Sequence, residues 1–369
     1  MPRPTCREKE ECYDSSVRPL SQRLRLPIDV DVDRLAAEVR GLERDFVRFA
    51  PGPFDVKGWD GIALISADGR VEDTRSPAPS RFGPLPAAPL ARCPHHAELL
   101  ASLGAPILAA RLLYLEPGGL HALHRDPIGF PLGGIRIHLP VQSHPDVELW
   151  LGGERMCWGP GELWYGDFAY PHRLANPTDV MRVHLVVDLA ITEAVLALFP
   201  PEIVPSVLEG GVCRWAPTRA LESVALERFE GRWHLPRRFL VAVDAPETLH
   251  FACVDDARPG AECGARELVA LRPDGTVAFA LDPLDDRTLA LRGYYPGVTF
   301  ELAGERSDRN SNRNGGLDLV HRGRVYCDPS AEDDERSPWE LYTSRTFLEP
   351  LDPAPREPQR RGASSASTQ

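Results

Sequence analysis

The chain has 369 residues, 43% of them hydrophobic and 26% charged, so it is long enough for two domains that each bury a core. Its formal net charge of −12 repels phosphate backbones and anionic lipid, and we therefore expect neither nucleic acid nor a membrane as a partner. No apolar run reaches the ~20 residues of a membrane span, and the polar N terminus does not resemble a signal peptide. The eight cysteines include no Cys-x-x-Cys pair, which favours reduced thiols in a cytoplasmic protein over a disulfide framework or a structural zinc site.

The predicted elements begin after a loose polar arm over residues 1–20. Apolar side chains then recur at helical spacing behind an aspartate N-cap, which predicts a helix. A strand over residues 59–66, an irregular loop over 77–94 with six prolines, and a short helix over 96–103 follow. The helix has Asp31 or Asp33 as its N-cap and Leu35, Val39, Leu42, Phe46 and Phe49 as its apolar side.

Residues 110–189 show five short strands separated by turns that contain glycine or proline. This spacing is typical of an antiparallel sandwich or barrel. A helix over 192–199 closes the segment, and four strand-like runs follow in a region of different composition. The strands are predicted at 110–115, 135–141, 147–151, 162–165 and 181–189, and then at 239–243, 268–271, 277–281 and 298–302.

The domain organisation follows from these elements. We expect a first domain over residues 21–204 and a C-terminal domain of unknown role over 205–348, which is α+β or β-rich. The tail over 349–369 is rich in proline, arginine and serine, and we expect it to be disordered.

Three side chains form a candidate metal site. His124 and Asp126 are two residues apart, and on an extended chain this spacing places both on the same face. His172 lies just before a turn at Asn176-Pro177. Two imidazoles and one carboxylate can occupy one face of an octahedral Fe(II) ion and leave three positions open, as oxygen activation requires.

Cationic side chains are predicted beside this site. If the chain reverses around residues 177–178, His172 lies across a hairpin from Arg182, which can hold a distal carboxylate with two hydrogen bonds. Arg136 and His138 share the polar face of an earlier strand and are candidates for a second carboxylate. Such a set suits a dicarboxylate ligand.

The other histidines are more simply explained as core or surface residues. His121 stays open, because it lies near His124 but out of phase with it. Trp59 and Asp60 are candidates for substrate contact, although a tryptophan at the start of a strand more often serves packing. The histidines assigned to the core or the surface are His95, His96, His144, His234, His250 and His321.

With these residues in place, the sequence resembles the aspartyl/asparaginyl β-hydroxylase family of Fe(II)/2-oxoglutarate-dependent dioxygenases. The similar text is ARLLYLEPGGLHALHRDP from residue 110, IRIHLPV from residue 135 and GELWYGDFAYPHRLANPTDVMRVHLVVDL from residue 161. The resemblance covers residues 110–190 well and the preceding helix and strand more loosely, but not the residues after 205.

The resemblance implies a mainly β, double-stranded β-helix fold of the cupin or jelly-roll kind with flanking N-terminal helices. It implies His124 and His172 as metal ligands, Arg182 as the co-substrate arginine, and Arg136 with His138 as the second carboxylate-binding pair.

Two positions depart from the family's vertebrate peptide hydroxylase. Asp126 stands where that enzyme has a non-ligating residue, so the chain looks more like bacterial members with a complete triad, some of which hydroxylate free amino acids such as proline. Leu113 replaces a serine that helps to bind the co-substrate, and Tyr114 is the candidate substitute.

The implied cofactors are Fe(II), 2-oxoglutarate and O2, and the implied reaction hydroxylates an unactivated C–H bond of an amino acid or a peptidyl side chain of the Asp, Asn or Pro kind. Succinate and CO2 would be released. Asp126 argues against a halogenase, which needs its coordination position for chloride. The alternatives are desaturation or cyclisation by the same cofactors, a non-catalytic cupin-like binding module and a zinc hydrolase. The partner is a small molecule or a peptide, and no oligomeric state is predicted.

Overall fold

The computed structural model describes residues 23–42, 46, 48, 55–209, 211–218, 226–234, 248–258, 260–302, 316–326 and 339–348. These residues form two antiparallel β-sheets, which are separated along the chain by two short helices within residues 193–209. The predicted arm at 1–20, the predicted strand at 239–243 and the predicted tail at 349–369 lie outside the described residues.

The first sheet contains ten strands within the described part of the chain. Their order is β1-β8-β5-β10-β4-β9-β6-β7, with β2 paired to β3 and to β4. The strands are β1 (Arg23–Arg25), β2 (Asp55–Ala67), β3 (Pro84–Pro86), β4 (Ile107–His124), β5 (Gly134–Gln142), β6 (Glu148–Leu151), β7 (Glu154–Met156), β8 (Trp164–Gly166), β9 (His172–Ala175) and β10 (Arg182–Ala190).

The long strand β4 belongs to both halves of this sheet. Its first part pairs with β10, and its last part, after Gly118 and Gly119, pairs with β9. The sheet therefore curls on itself in the cupin-like, double-stranded β-helix arrangement that the resemblance implies. Glycines inside a strand mark such an irregularity, and Gly118 has a positive φ of 70°.

The two faces of the central strands have opposite character, as predicted. On β5, Ile135, Ile137 and Leu139 join one buried apolar cluster, and on β10 Val183 and Leu185 join the same cluster. Because side chains alternate along a strand, the intervening polar residues face the inside of the curled sheet. This face carries the candidate site.

Four α-helices flank the first sheet within the described residues. The predicted N-cap at Asp31 is confirmed, since its carboxylate accepts a hydrogen bond from the backbone N–H of Arg34 at 3.4 Å. The loop predicted at 77–94 is only partly irregular, because its second half forms β3 and a 3-10 helix, Ala88–Arg92. The α-helices are α1 (Val32–Leu42), α2 (Pro94–Ser102), α3 (Glu193–Leu196) and α4 (Val204–Glu209).

The second sheet contains eight described strands in chain order, so each strand pairs with the next by an antiparallel ladder. Such a meander confirms a β-rich C-terminal region. Five of the strands were missed, because strands with mixed polarity give a weak two-residue period. They are β11 (Gly231–His234), β12 (Thr248–Asp255), β13 (Arg266–Leu271), β14 (Val277–Pro283), β15 (Thr288–Leu291), β16 (Val298–Leu302), β17 (Leu317–Tyr326) and β18 (Trp339–Leu348).

The cysteines and the helices bear on the expected cellular setting. Cys157 is disulfide-bonded, which departs from the expectation of reduced thiols throughout. Free thiols are found at Cys93, Cys213, Cys253 and Cys263. Among the helices of the described residues, none is long and apolar enough to span a bilayer.

Glu38 joins α1 to the beginning of α2. Its carboxylate accepts hydrogen bonds from the backbone N–H groups of His95 at 2.8 Å and His96 at 3.2 Å, and it contacts His96 Nδ1 at 2.6 Å. The Cys93 thiol lies close to both groups. Burial, and next the negative charge of Glu38, raise the pKa of this thiol to about 12. A neutral thiol and a carboxylate that satisfies helix N–H groups are typical of a structural tie.

Replacing Glu38 by alanine is expected to lower the free energy of unfolding by about 2–3 kcal/mol, because hydrogen bonds to a charged acceptor are lost beside a buried imidazole. Urea unfolding measures the difference. The control is Glu98→Ala, which removes an exposed partner of His95 (3.4 Å) and is expected to cost less than about 1 kcal/mol. Equal losses for the two variants would contradict a structural tie at Glu38.

Candidate metal centre

Three predicted residues converge at one end of β4 and β9. His124 ends β4 and His172 begins β9, and the two are cross-strand partners. Asp126 lies in the turn after β4, with its carboxylate oxygens 3.5 Å from His124 Nε2 and 3.9 Å from His172 Nε2. The three donor atoms lie within 4.8 Å of one another. This donor set fits one face of an Fe(II) ion.

Backbone carbonyls fix both imidazole rings. Nδ1 of His124 is 2.8 Å from the carbonyl oxygen of Ala122, and Nδ1 of His172 is 3.0 Å from that of Tyr170. A carbonyl only accepts, so each Nδ1 carries a proton, and each Nε2 is turned toward Asp126. Rings held in this way are typical of metal-ligating histidines.

Electrostatics keep the carboxylate ionised. Burial raises the pKa of Asp126, but the charge of Arg136, the hydrogen bond with His124 and the charges of both imidazoles together hold the pKa well below its usual range. Burial lowers the pKa of His172 to about 4. The centre therefore offers an anionic donor, Asp126, and a neutral donor, His172, at neutral pH. Burial lowers the pKa of the third donor, His124, but its hydrogen bond with Asp126 and the charge of Asp126 raise that pKa overall.

Arg136 does not extend a free guanidinium toward a ligand. Its Nε and Nη2 donate to the two oxygens of Asp188 at 2.6 and 3.0 Å, Nη2 also donates to Ser76 Oγ at 2.8 Å, and Nη1 contacts Asp126. Asp188, 0% exposed, also accepts from Arg111 at 2.8 Å. These contacts use the donors that were expected to bind a carboxylate of the co-substrate, and they place Arg136 behind Asp126 instead.

Arg182 has the opposite character. It is 1% exposed, and its Nη2 lies 2.9 Å from His184 Nδ1, while Nε and Nη1 have no hydrogen-bond partner in the described residues. Its guanidinium carbon lies 5.7 Å from the ring centroid of Trp59. Burial lowers the pKa of Arg182 to about 9. A buried cation that no described carboxylate neutralises calls for an anionic ligand.

A cavity of about 140 Å³ reaches this guanidinium. Arg182 and His184 line it, and Trp158, Leu174 and Met156 are among the side chains that form its mostly apolar wall. A mostly apolar cavity lined by one buried cation suits a small molecule with a carboxylate.

His138 completes the polar face of β5. Its ring stacks on Phe168 at 4.5 Å, and neither ring nitrogen has a hydrogen-bond partner among the described residues. Burial, and next the charge of Arg182, hold the pKa of His138 well below its usual range. A neutral imidazole with two unused nitrogens is available to a bound ligand.

Two expectations about this region are wrong. β9 and β10 do not form a hairpin, because β4 lies between them and places Leu115 opposite Arg182. The turn instead crosses from one half of the sheet to the other, and Asn176 secures it by donating to the carbonyl of Leu115 at 2.9 Å. Tyr114 does not assist Arg182, since it packs in the apolar cluster on the opposite face.

His121 belongs to the site although its spacing appeared unfavourable. Its Nε2 is 3.2 Å from His124 Nε2, and its ring stacks on Trp59 at 4.5 Å. A register shift between His121 and His124 removes the expected alternation. Pro117-Gly118-Gly119 in the sequence is the signal that the strand is irregular here. Asp60, in contrast, pairs with Arg48 at 3.3 Å.

The curled sheet and its histidine–aspartate group define a cupin-like fold with a candidate site for one metal ion. Residues 52–191 match the family described as aspartyl/asparaginyl beta-hydroxylase. The match takes in every residue of the metal centre and Arg182. The match and the donor set indicate a dioxygenase of the hydroxylase type that uses Fe(II) and 2-oxoglutarate.

Several solved structures resemble part of the chain at low identity, whereas no curated protein matches it. An oxidoreductase of the 2OG-Fe(II) oxygenase family from Burkholderia pseudomallei is 13% identical over 42% of this chain and 77% of its own, with a TM-score of 0.31. HygX from Streptomyces hygroscopicus, with nickel and 2-oxoglutarate bound, is 11% identical over 47% and 84%, with a TM-score of 0.31. The α-ketoglutarate-dependent carbocyclase SnoK of nogalamycin biosynthesis is 13% identical over 46% and 80%, with a TM-score of 0.33.

Proposed function

We propose that the protein hydroxylates an unactivated C–H bond of an amino acid or a peptidyl amino-acid side chain, with 2-oxoglutarate as the co-substrate. The observation that carries this proposal is the unneutralised guanidinium of Arg182, buried in the same curled sheet as the His124–Asp126–His172 group. The family match supports the reaction type.

The residues of the chain have separate roles in this proposal. His124, Asp126 and His172 hold the metal through Nε2 of each imidazole and the carboxylate, while backbone carbonyls hold Nδ1 of each ring. Bound Fe(II) supplies, with 2-oxoglutarate and O2, the oxidation that places one oxygen atom in the substrate and releases succinate and CO2. Arg182 binds the distal carboxylate, and Trp158 helps to keep water from that end of the cavity.

Charge around the site favours a substrate without a carboxylate on the reacting side chain. Arg111 and Arg136 are neutralised by Asp188 and Asp126, and Arg182 is needed for the co-substrate. The buried part of the site therefore has no further unneutralised arginine among the described residues. A neutral side chain of the proline or asparagine kind is favoured over aspartate, because a buried carboxylate without a cation is costly.

The test is substrate-stimulated succinate release by the purified full-length protein with Fe(II), 2-oxoglutarate and O2. Free proline, free asparagine, free aspartate and short peptides with these residues are compared. We expect a neutral substrate to raise succinate release and to give a product heavier by one oxygen atom. A product lighter than the substrate by two hydrogen atoms would show that the reaction is desaturation or cyclisation rather than hydroxylation. Failure of Fe(II) and 2-oxoglutarate to give a visible charge-transfer band without O2 would contradict the proposal.

A further inference from the structure

The C-terminal sheet touches the first domain through the turn between β15 and β16, residues 294–297. The backbone N–H of Gly297 donates to the carbonyl of Leu132 at 2.8 Å, just before β5. A Cβ atom added at Gly133 would lie 2.4 Å from Pro296, and one added at Gly134 would lie 2.4 Å from the ring of Tyr295. The close approach of this turn therefore depends on two adjacent glycines at the start of β5.

Tyr295 packs against the face of β5 that carries Arg136. Gly134 and Arg136 lie on the same face of β5, because they are two residues apart in a strand. Burial, and next the negative charge of Asp188, raise the pKa of Tyr295 far above its usual range. The Tyr295 hydroxyl has no hydrogen-bond partner in the described residues, and the side chain is 2% exposed. The ring acts here by packing.

A second segment, residues 76–81, also connects the C-terminal sheet to Arg136. Ser80 donates its N–H to the carbonyl of Arg292 and accepts from the N–H of Ala280, both at 3.1 Å. Next to it, Arg81 makes hydrogen bonds of 2.9 and 3.0 Å to the buried Glu267 of β13. These contacts anchor the segment that carries Ser76, whose Oγ accepts from Arg136 Nη2 at 2.8 Å.

We propose that the C-terminal sheet is part of the catalytic unit and positions the metal-ligating carboxylate. Tyr295 packs at Gly134 on the face of β5 that carries Arg136, Ser76 accepts a hydrogen bond from Arg136, and Arg136 contacts Asp126 directly. Residues that orient a ligand commonly change metal affinity by about 10–100-fold when they are removed. The inference rests on one part of the proposed function, namely that Asp126 ligates the metal.

The experiment is an anaerobic titration of the full-length protein with Co(II), followed by its visible ligand-field absorption. Tyr295→Ala is expected to weaken Co(II) binding about 10-fold or more and to shift the absorption of the loaded protein, because Asp126 loses its fixed position. Tyr295→Phe keeps the ring and is expected to restore wild-type affinity and spectrum. Ser76→Ala is expected to weaken binding by about 2–10-fold.

Phe251→Ala is the matched control, since Phe251 is 0% exposed and lies on β12, outside both segments. It is expected to lower the melting temperature without changing the Co(II) spectrum or affinity. Wild-type binding by Tyr295→Ala, or equal weakening by Phe251→Ala, would overturn the inference. If Tyr295→Ala does not fold, Ser76→Ala replaces it in the test, because Ser76 is a partly buried loop residue. Unchanged Co(II) affinity in Ser76→Ala would then overturn the inference. A wild-type protein that binds Co(II) but never consumes 2-oxoglutarate would contradict the proposed function alone.

Discussion

Arg182→Met is expected to lower the affinity for 2-oxoglutarate on the order of 100-fold or more, because a buried carboxylate loses its cation. The same change is expected to stabilise the protein without ligands by roughly 1–4 kcal/mol, since an apolar side chain of similar length needs no hydration in this position. Weaker binding of 2-oxoglutarate together with a higher free energy of unfolding is the result expected when a buried cation serves a ligand rather than the fold. Isothermal titration and urea unfolding measure the two quantities.

Arg173→Met is the control for this change. Arg173 is exposed on β9 and lies 5.5 Å from the ring of Trp150. Its replacement is expected to leave 2-oxoglutarate affinity unchanged and to alter stability by less than about 0.5 kcal/mol. If Arg182→Met binds 2-oxoglutarate as tightly as the wild type, the distal carboxylate is held elsewhere.

Asp126→Ala is expected to reduce Fe(II) affinity more than His172→Ala does, although each change removes one ligand. Asp126, Asp188, Arg111 and Arg136 together carry no net charge, so the loss of Asp126 leaves one positive charge beside the metal. His172→Ala removes a neutral donor. We expect both losses to exceed about 100-fold, because even residues behind the ligands change affinity by about 10–100-fold.

Anaerobic calorimetry with Fe(II) measures this order of affinities. His250→Ala serves as the control, because His250 is an exposed residue of β12 in the second sheet. The Fe(II) affinity of this variant is expected to equal that of the wild type. Wild-type affinity in His172→Ala would remove that residue from the metal centre. A weaker effect of Asp126→Ala than of His172→Ala would contradict the charge balance described for Arg136.

Much of the first domain was predictable, because its signals are local. Alternation along β5 and β10 separates apolar from polar side chains, and the structure places the two sets on opposite faces. The spacing of His124 and Asp126 likewise predicts two donors close together, which the geometry confirms. Each of these patterns depends on the backbone within a few residues, and the sequence specifies that backbone directly.

The roles of Arg136 and His121 were not predictable in the same way. Face alternation places Arg136 in the site, but its partners Asp188 and Ser76 come from segments about 50–60 residues away. His121 reaches His124 only because the strand is irregular after two glycines. Side-chain periodicity predicts which face a residue occupies, yet it carries no information on the partners that occupy the space in front of it.

The order of residues alone specifies the donor types, the face on which they lie and the match of residues 52–191 to a family model. The tertiary structure alone decided that β4 separates β9 from β10, that Arg136 lies behind Asp126, and that Tyr295 of the second sheet packs at the start of β5. The reason is physical: alternation along a strand is a property of neighbouring residues, whereas strand order and domain contacts depend on which distant surfaces bury each other most favourably.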